Sequence, residues 1–184
     1  MRITNSQTGY GLIQIALHWG MALLIFFTAM VGFNMTDLPS GQPDTFAAYN
    51  FHKSLGITVL GLVAIRLLWR LVAGAPAPVA SMTDFERSLA TAAHHALYLL
   101  MFIVPLLGWL NTSTADMPVN WFGMAIVPQL MGPDSGLKEV FGTVHELAAK
   151  LLLFLVILHV LAALRHHFMK KDDSLRRMLR PPAN

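Results

Sequence analysis

The sequence predicts an all-α integral membrane protein, a bundle of four helices. Three observations carry this. The chain of 184 residues is 55% hydrophobic and only 12% charged, whereas a soluble domain carries about 25% charged residues. It contains four apolar runs, each long enough to span a bilayer core, which takes about 20 helical residues. Proline-rich, glycine-rich or charged stretches separate the runs.

The first run spans about 11–33 and reads GLIQIALHWGMALLIFFTAMVGF, with His18 as its one ionisable residue. It exceeds a signal-peptide core of about 7–15 apolar residues and has no small-residue cleavage site after it, so a retained helix is expected. Residues 34–50 contain Pro39, Gly41 and Pro43 and read as a loop. The second helix is expected over 51–71, with His52 and Lys53 at its start and Arg66 and Arg70 near its end. A Pro/Ala linker follows. Thr83 and Glu86 then stand at the spacing of a capping box, which opens a third helix over 84–110. Pro105 lies inside it, which membrane helices tolerate. The connection over 111–142 is uncharged and apolar around WFGMAIVPQLM and suits the membrane interface. The fourth helix, 142–168, holds His145 and His159, and a basic tail ends the chain.

Charge gives the orientation. Arg2, Arg66, Arg70, Arg87, Arg165, Lys170, Lys171, Arg176, Arg177 and Arg180 fall on one side, against Lys53 and Lys138 on the other. By the positive-inside rule both termini are expected in the cytoplasm of a bacterium, with the opposite face periplasmic. The net charge of +3 therefore reports topology and gives no reason to expect nucleic acid. Without cysteine, any metal centre must draw on His, Met or carboxylate.

Depth then sorts the histidines. His18 and His159 each lie about seven residues from the cytoplasmic ends of their helices, and His52 and His145 each lie at periplasmic starts. Two pairs result, one above the other. Alone, an imidazole in a membrane can be an interhelical donor or a headgroup contact; matched pairs at matched depth point to function. A b-type haem fits each pair, because imidazoles bind iron from both faces and bundles build such sites from facing helices. Fourteen residues fall only about 40° short of four full turns. That step carries His145 to His159, His18 to Gly32, and His52 to Arg66. Gly32 is thus expected at the periplasmic pair. Arg66 is expected beside the cytoplasmic pair, where it either pairs with a haem propionate or snorkels to the surface.

His94 and His95 read as interfacial residues. His166, seven residues beyond His159, is either a hydrogen-bond or proton donor to a quinone or a surface residue at a helix end. Glu146 and Lys150 stand four apart and should neutralise one another.

The segments QIALHWGMALLI, NFHKSLGITVLGLVAIRLLWRL, ALYLLMFIVPLLGWL, VNWFG and VHELAAKLLLFLVILHVLAALRHHFMKKDDSLRRM together cover nearly the whole chain. In them the sequence resembles the prokaryotic cytochrome b561 family of four-helix dihaem membrane cytochromes. The resemblance implies one multi-pass domain over 1–184 in the bacterial inner membrane. It implies two haem b groups on His18, His52, His145 and His159, and electron exchange with ubiquinone. Relatives include a superoxide oxidase, which implies superoxide or another periplasmic one-electron partner and an oxidoreductase activity. Lys53 beside His52 would attract a small anion. The other reading is a membrane cytochrome subunit that relays electrons from a partner dehydrogenase. No catalytic residue is assigned, and the chain shows no acid–base triad or phosphate loop. The partners expected are membrane lipid, ubiquinone and the periplasmic donor.

Overall fold

The computed structural model describes residues 2–181. Four long helices run α1 Leu12–Thr36, α2 Pro43–Ala73, α3 Asp84–Thr114 and α4 Ser135–Arg165. All four are long and apolar enough to cross a membrane, and they form one helical bundle. Most large apolar side chains on the outside are exposed, among them Leu23, Phe26, Leu68, Phe154 and Ile157. Such helices are apolar all round, as spanning helices must be.

Two helix starts differ from expectation. Pro43 does not end a loop but opens α2 near its first position, with Asp44 in the first turn. Proline lacks the N–H that would be orphaned there, and its fixed φ suits a helix. The helix therefore starts eight residues earlier than expected. Likewise α4 begins at Ser135, where the Asp134 carboxylate caps the Leu137 N–H at 2.9 Å. His52 and His145 consequently lie well inside their helices rather than at their starts. The capping box at the start of α3 forms as expected, with Thr83 and Glu86 bonded reciprocally.

Two short strands, β1 Val119–Trp121 and β2 Ala125–Val127, pair antiparallel in the long connection, with Trp121 opposite Ala125. Their turn has positive φ at Phe122 and Gly123, as a type I′ turn requires. The hairpin is fastened to α2 around His52. Asn50 Nδ2 donates to the Asn120 carbonyl at 2.8 Å, and Asn120 N–H donates back to Asn50 Oδ1 at 3.0 Å. Phe122 N–H donates to Ser54 Oγ, and Trp121 Nε1 donates to Thr58 Oγ1. This defines the hairpin end of the bundle.

Both chain ends meet at the opposite, terminal end. Asn5 Nδ2 donates to the Gly74 carbonyl, Trp19 Nε1 to the Met178 carbonyl, and Arg177 to the Ala77 carbonyl. After α4 the chain continues as a π-helical turn, His166–Lys170. Arg165 and Lys170 both bond Glu86.

The core is an apolar layer at mid-height: Met21, Val63, Leu97, Leu100, Met101 and Leu152. Leu152 is seven residues from both His145 and His159. This layer therefore separates two polar levels, and packing of these side chains fixes how far apart those levels stand.

Candidate cofactor sites: two histidine pairs

At the hairpin end, the ring centres of His52 and His145 are 6.3 Å apart. At the terminal end, those of His18 and His159 are 6.2 Å apart. The pairs sequence depth predicted are thus the pairs the fold brings together. Imidazole nitrogen binds a metal at about 2 Å and lies a little over 1 Å from its ring centre. Two imidazoles on opposite sides of one ion therefore have ring centres about 6.3 Å apart. Both pairs match this spacing.

Each pair offers two imidazole donors at the spacing of ligands across one ion. Among the described residues, no three His, Asp or Glu side chains gather to hold a metal. A bare ion would lack ligands in the plane between the rings, whereas a planar macrocycle supplies them. The donor set thus fits a haem and does not fit a structural zinc site, which needs four protein ligands.

The hairpin pair is held by one device used twice. His52 Nδ1 donates to the Thr28 carbonyl at 3.0 Å, and His145 Nδ1 donates to the Val104 carbonyl at 2.9 Å. A carbonyl can only accept, so the proton sits on Nδ1 and the lone pair on Nε2, the state a metal ligand needs. Four residues beyond each carbonyl is a glycine on the same helix face. A Cβ on Gly32 would stand 2.8 Å from His52 Cε1, and one on Gly108 would stand 3.1 Å from His145 Cε1. Gly32 is where the fourteen-residue step placed it. Gly108 escaped the sequence reading, although its spacing of four from Val104 repeats that of Gly32 from Thr28.

The terminal pair is built differently. Arg66 Nη2 donates to His18 Nδ1 at 3.0 Å. Arg66 also stacks on Tyr98 at 5.5 Å, so it points into the bundle and does not snorkel. Among the described residues, six buried polar atoms have no hydrogen-bond partner: Gln14 Oε1, Arg66 Nε, Trp69 Nε1, Tyr98 OH, His167 Nδ1 and Ser174 Oγ. All six lie in the terminal half of the bundle. Buried polar groups are normally paired, so these atoms mark the terminal end as the more polar of the two levels.

His94 sits apart from expectation, and His166 makes a contact that the sequence did not show. His94 is not interfacial: its ring lies edge-on to His159, with centres 5.4 Å apart. His166 is buried, and its Nδ1 donates to Asp172 at 2.6 Å. Asp172 also accepts from Ser81 Oγ and from the Ser174 N–H. Burial pushes the Asp172 carboxyl up, but the bonds from His166, Ser174 and Ser81 outweigh it and hold the group well below the ordinary carboxylate range. His95 is exposed. Lys53 Nζ donates to the Met117 carbonyl at 3.3 Å. Glu146 and Lys150 pair as expected, at 2.5 Å.

Several known proteins are similar to this chain over most of its length. Residues 9–181 match the family described as prokaryotic cytochrome b561. Cytochrome b561 homolog 2 of Escherichia coli K12 is 34% identical over 97% of this chain and 95% of its own length. A probable superoxide oxidase, CybB, of Yersinia pestis is 29% identical over 92% of this chain and 95% of its own. Cytochrome b562 of Cereibacter sphaeroides is 31% identical over 96% of this chain and 99% of its own.

Proposed function

Because the chain belongs to the prokaryotic cytochrome b561 family, we propose that it is a dihaem b-type cytochrome carrying electrons across the bacterial inner membrane, from periplasmic superoxide to ubiquinone. The observation that supports this most is the pair of ring separations, 6.3 and 6.2 Å, in two levels of one bundle. His52 and His145 would hold one haem, and His18 and His159 the other. A bound haem b supplies reversible one-electron chemistry at its iron.

The residues of the chain then have separate tasks. Thr28 and Val104 carbonyls fix the tautomers of His52 and His145. The apolar layer around Met21, Val63 and Leu152 excludes water between the two levels. His18 binds through Nε2 only with its proton on Nδ1, so the Arg66 guanidinium must turn to a better acceptor. A propionate provides one, as a charge-assisted contact. Lys53, next to His52, places a positive charge near the hairpin pair for an incoming anion. His166 lies at the terminal end, its proton fixed on Nδ1 by Asp172, which leaves Nε2 to exchange a proton with a quinone oxygen. With the arginine-rich end cytoplasmic, two superoxide anions oxidised to dioxygen on the hairpin face supply two electrons. With two cytoplasmic protons these reduce one ubiquinone to ubiquinol.

Stopped-flow mixing of the haem-loaded protein in liposomes with superoxide tests this. Ubiquinol should form in step with superoxide loss. If superoxide leaves both haems oxidised while a membrane dehydrogenase fraction reduces them, the chain is instead a relay subunit for that enzyme.

A further inference from the structure

His94 lies outside both opposed pairs, yet the fold brings it against one of the four ring-paired histidines. It sits on α3, which gives neither pair a ring. Its Nδ1 donates to the Ala90 carbonyl on its own helix at 2.6 Å. That fixes the His94 proton on Nδ1 and leaves Nε2 with a free lone pair. The ring is half-buried and meets His159 edge-on, at 5.4 Å and an interplanar angle of 79°.

This distance excludes His94 as an opposed ligand to His159. Two rings across one ion need centres about 6.3 Å apart, which His18 meets at 6.2 Å and His94 does not. The separation suits a ring beside the ligand rather than across from it.

His159 also lacks something its counterparts have. A histidine that binds metal through Nε2 carries its proton on Nδ1, and that N–H nearly always has an acceptor. His52 and His145 use backbone carbonyls. Among the described residues, His159 hydrogen-bonds no backbone carbonyl and no carboxylate, and its contact with His94 is the edge-on approach of the rings rather than a formed hydrogen bond. The neighbouring group with a free acceptor is the His94 ring, already turned to the required tautomer by Ala90.

We propose that His94 is a positioning residue for the terminal pair, accepting the Nδ1 proton of His159 and so setting the ring orientation and electron-donating strength of that ligand. This rests on the dihaem reading. An acceptor on Nδ1 gives the imidazole more imidazolate character, which favours the ferric over the ferrous ion. The two levels would then differ by design: a backbone acceptor for each ligand at the hairpin end, a side-chain acceptor for His159.

The test is a potentiometric titration, followed optically and by electron paramagnetic resonance, of haem-loaded wild type, His94→Leu and His94→Gln. The hairpin-end component is identified from its loss in His145→Leu. With His94→Leu, the midpoint potential of the terminal-end haem should rise and its low-spin g values shift, with the hairpin-end haem unchanged. With His94→Gln, which keeps an acceptor oxygen, both should stay close to wild type. Loss of the terminal-end haem in the leucine variant but not the glutamine variant would also support the proposal. Unchanged potentials in His94→Leu, or equal effects of the two substitutions, would overturn it. Fewer than two haems in the wild type would instead overturn the dihaem reading itself.

Discussion

The imidazole of His52 fills the space that a side chain at position 32 would need: a Cβ on Gly32 would stand 2.8 Å from His52 Cε1. The contact joins α1 to α2, and the ring completes it by donating to Thr28, one turn away.

Gly32→Ala should therefore displace the His52 ring, because overpacking of this kind typically costs about 1–3 kcal/mol. The hairpin-end haem should be lost or bound far more weakly, with the terminal-end haem retained. Gly108→Ala, whose Cβ would meet His145 at 3.1 Å, should show the same defect in milder form. Haem content of the purified variants measures both.

Each level should be removable alone. His145→Leu should abolish the hairpin-end haem and leave the other in place, and His159→Leu should do the reverse. The apolar layer between them, with Val63 and Met21 almost fully buried, isolates one level from repacking at the other. Loss of both haems in either variant would show that the levels are not independent. Low-temperature reduced-minus-oxidised spectra resolve the two components.

Arg66→Gln removes a guanidinium that the fold holds inside the bundle, between His18 and Tyr98. A hydrogen bond to a charged group contributes about 1.5–3 kcal/mol. Affinity for the terminal-end haem should fall roughly 10- to 100-fold, and the hairpin-end haem should be unaffected. Transfer of haem to apomyoglobin reads this as a faster phase covering half the haem.

The tail is pinned through Asp172, whose carboxyl is held below its ordinary range. Its ionised form is thus favoured by folding. That contribution is complete above an unfolded carboxylate value of about 3.9 and is lost as pH falls from there through the lower folded value. Hydrogen-exchange protection factors of residues 172–178, corrected for the intrinsic rate at each pH, should be high at pH 6 and fall only below about pH 4. In Asp172→Asn the same segment should exchange rapidly at pH 6 already. A variant that matches wild type at pH 6 would rule out this tether.

The four spans and both histidine pairs were legible in the sequence because both depend on length and period alone. Helical rise converts position into depth, and the fourteen-residue step converts it into facing. It placed Gly32 at His52 and Arg66 at His18, where the fold has them. What escaped depended on contacts between elements. Pro43 reads as a breaker in one dimension, and only its place in the first turn makes it a helix start. Strands of three residues, such as Val119–Trp121, are too short to show alternation, and their hydrogen bonds to Asn50 and Ser54 span about seventy residues of chain. His94 and His95 differ by about 100° around α3; which of them faces inward is decided by how α3 packs on α4, not by either residue.

The most direct measurement is the haem content of the purified chain, by the pyridine haemochromogen assay against protein concentration from amino-acid analysis, with low-spin bis-imidazole signals checked by electron paramagnetic resonance. Two opposed pairs of matching spacing predict two haem b per chain, both six-coordinate with nitrogen ligands on each side. One haem per chain, or a high-spin signal from either centre, would contradict that.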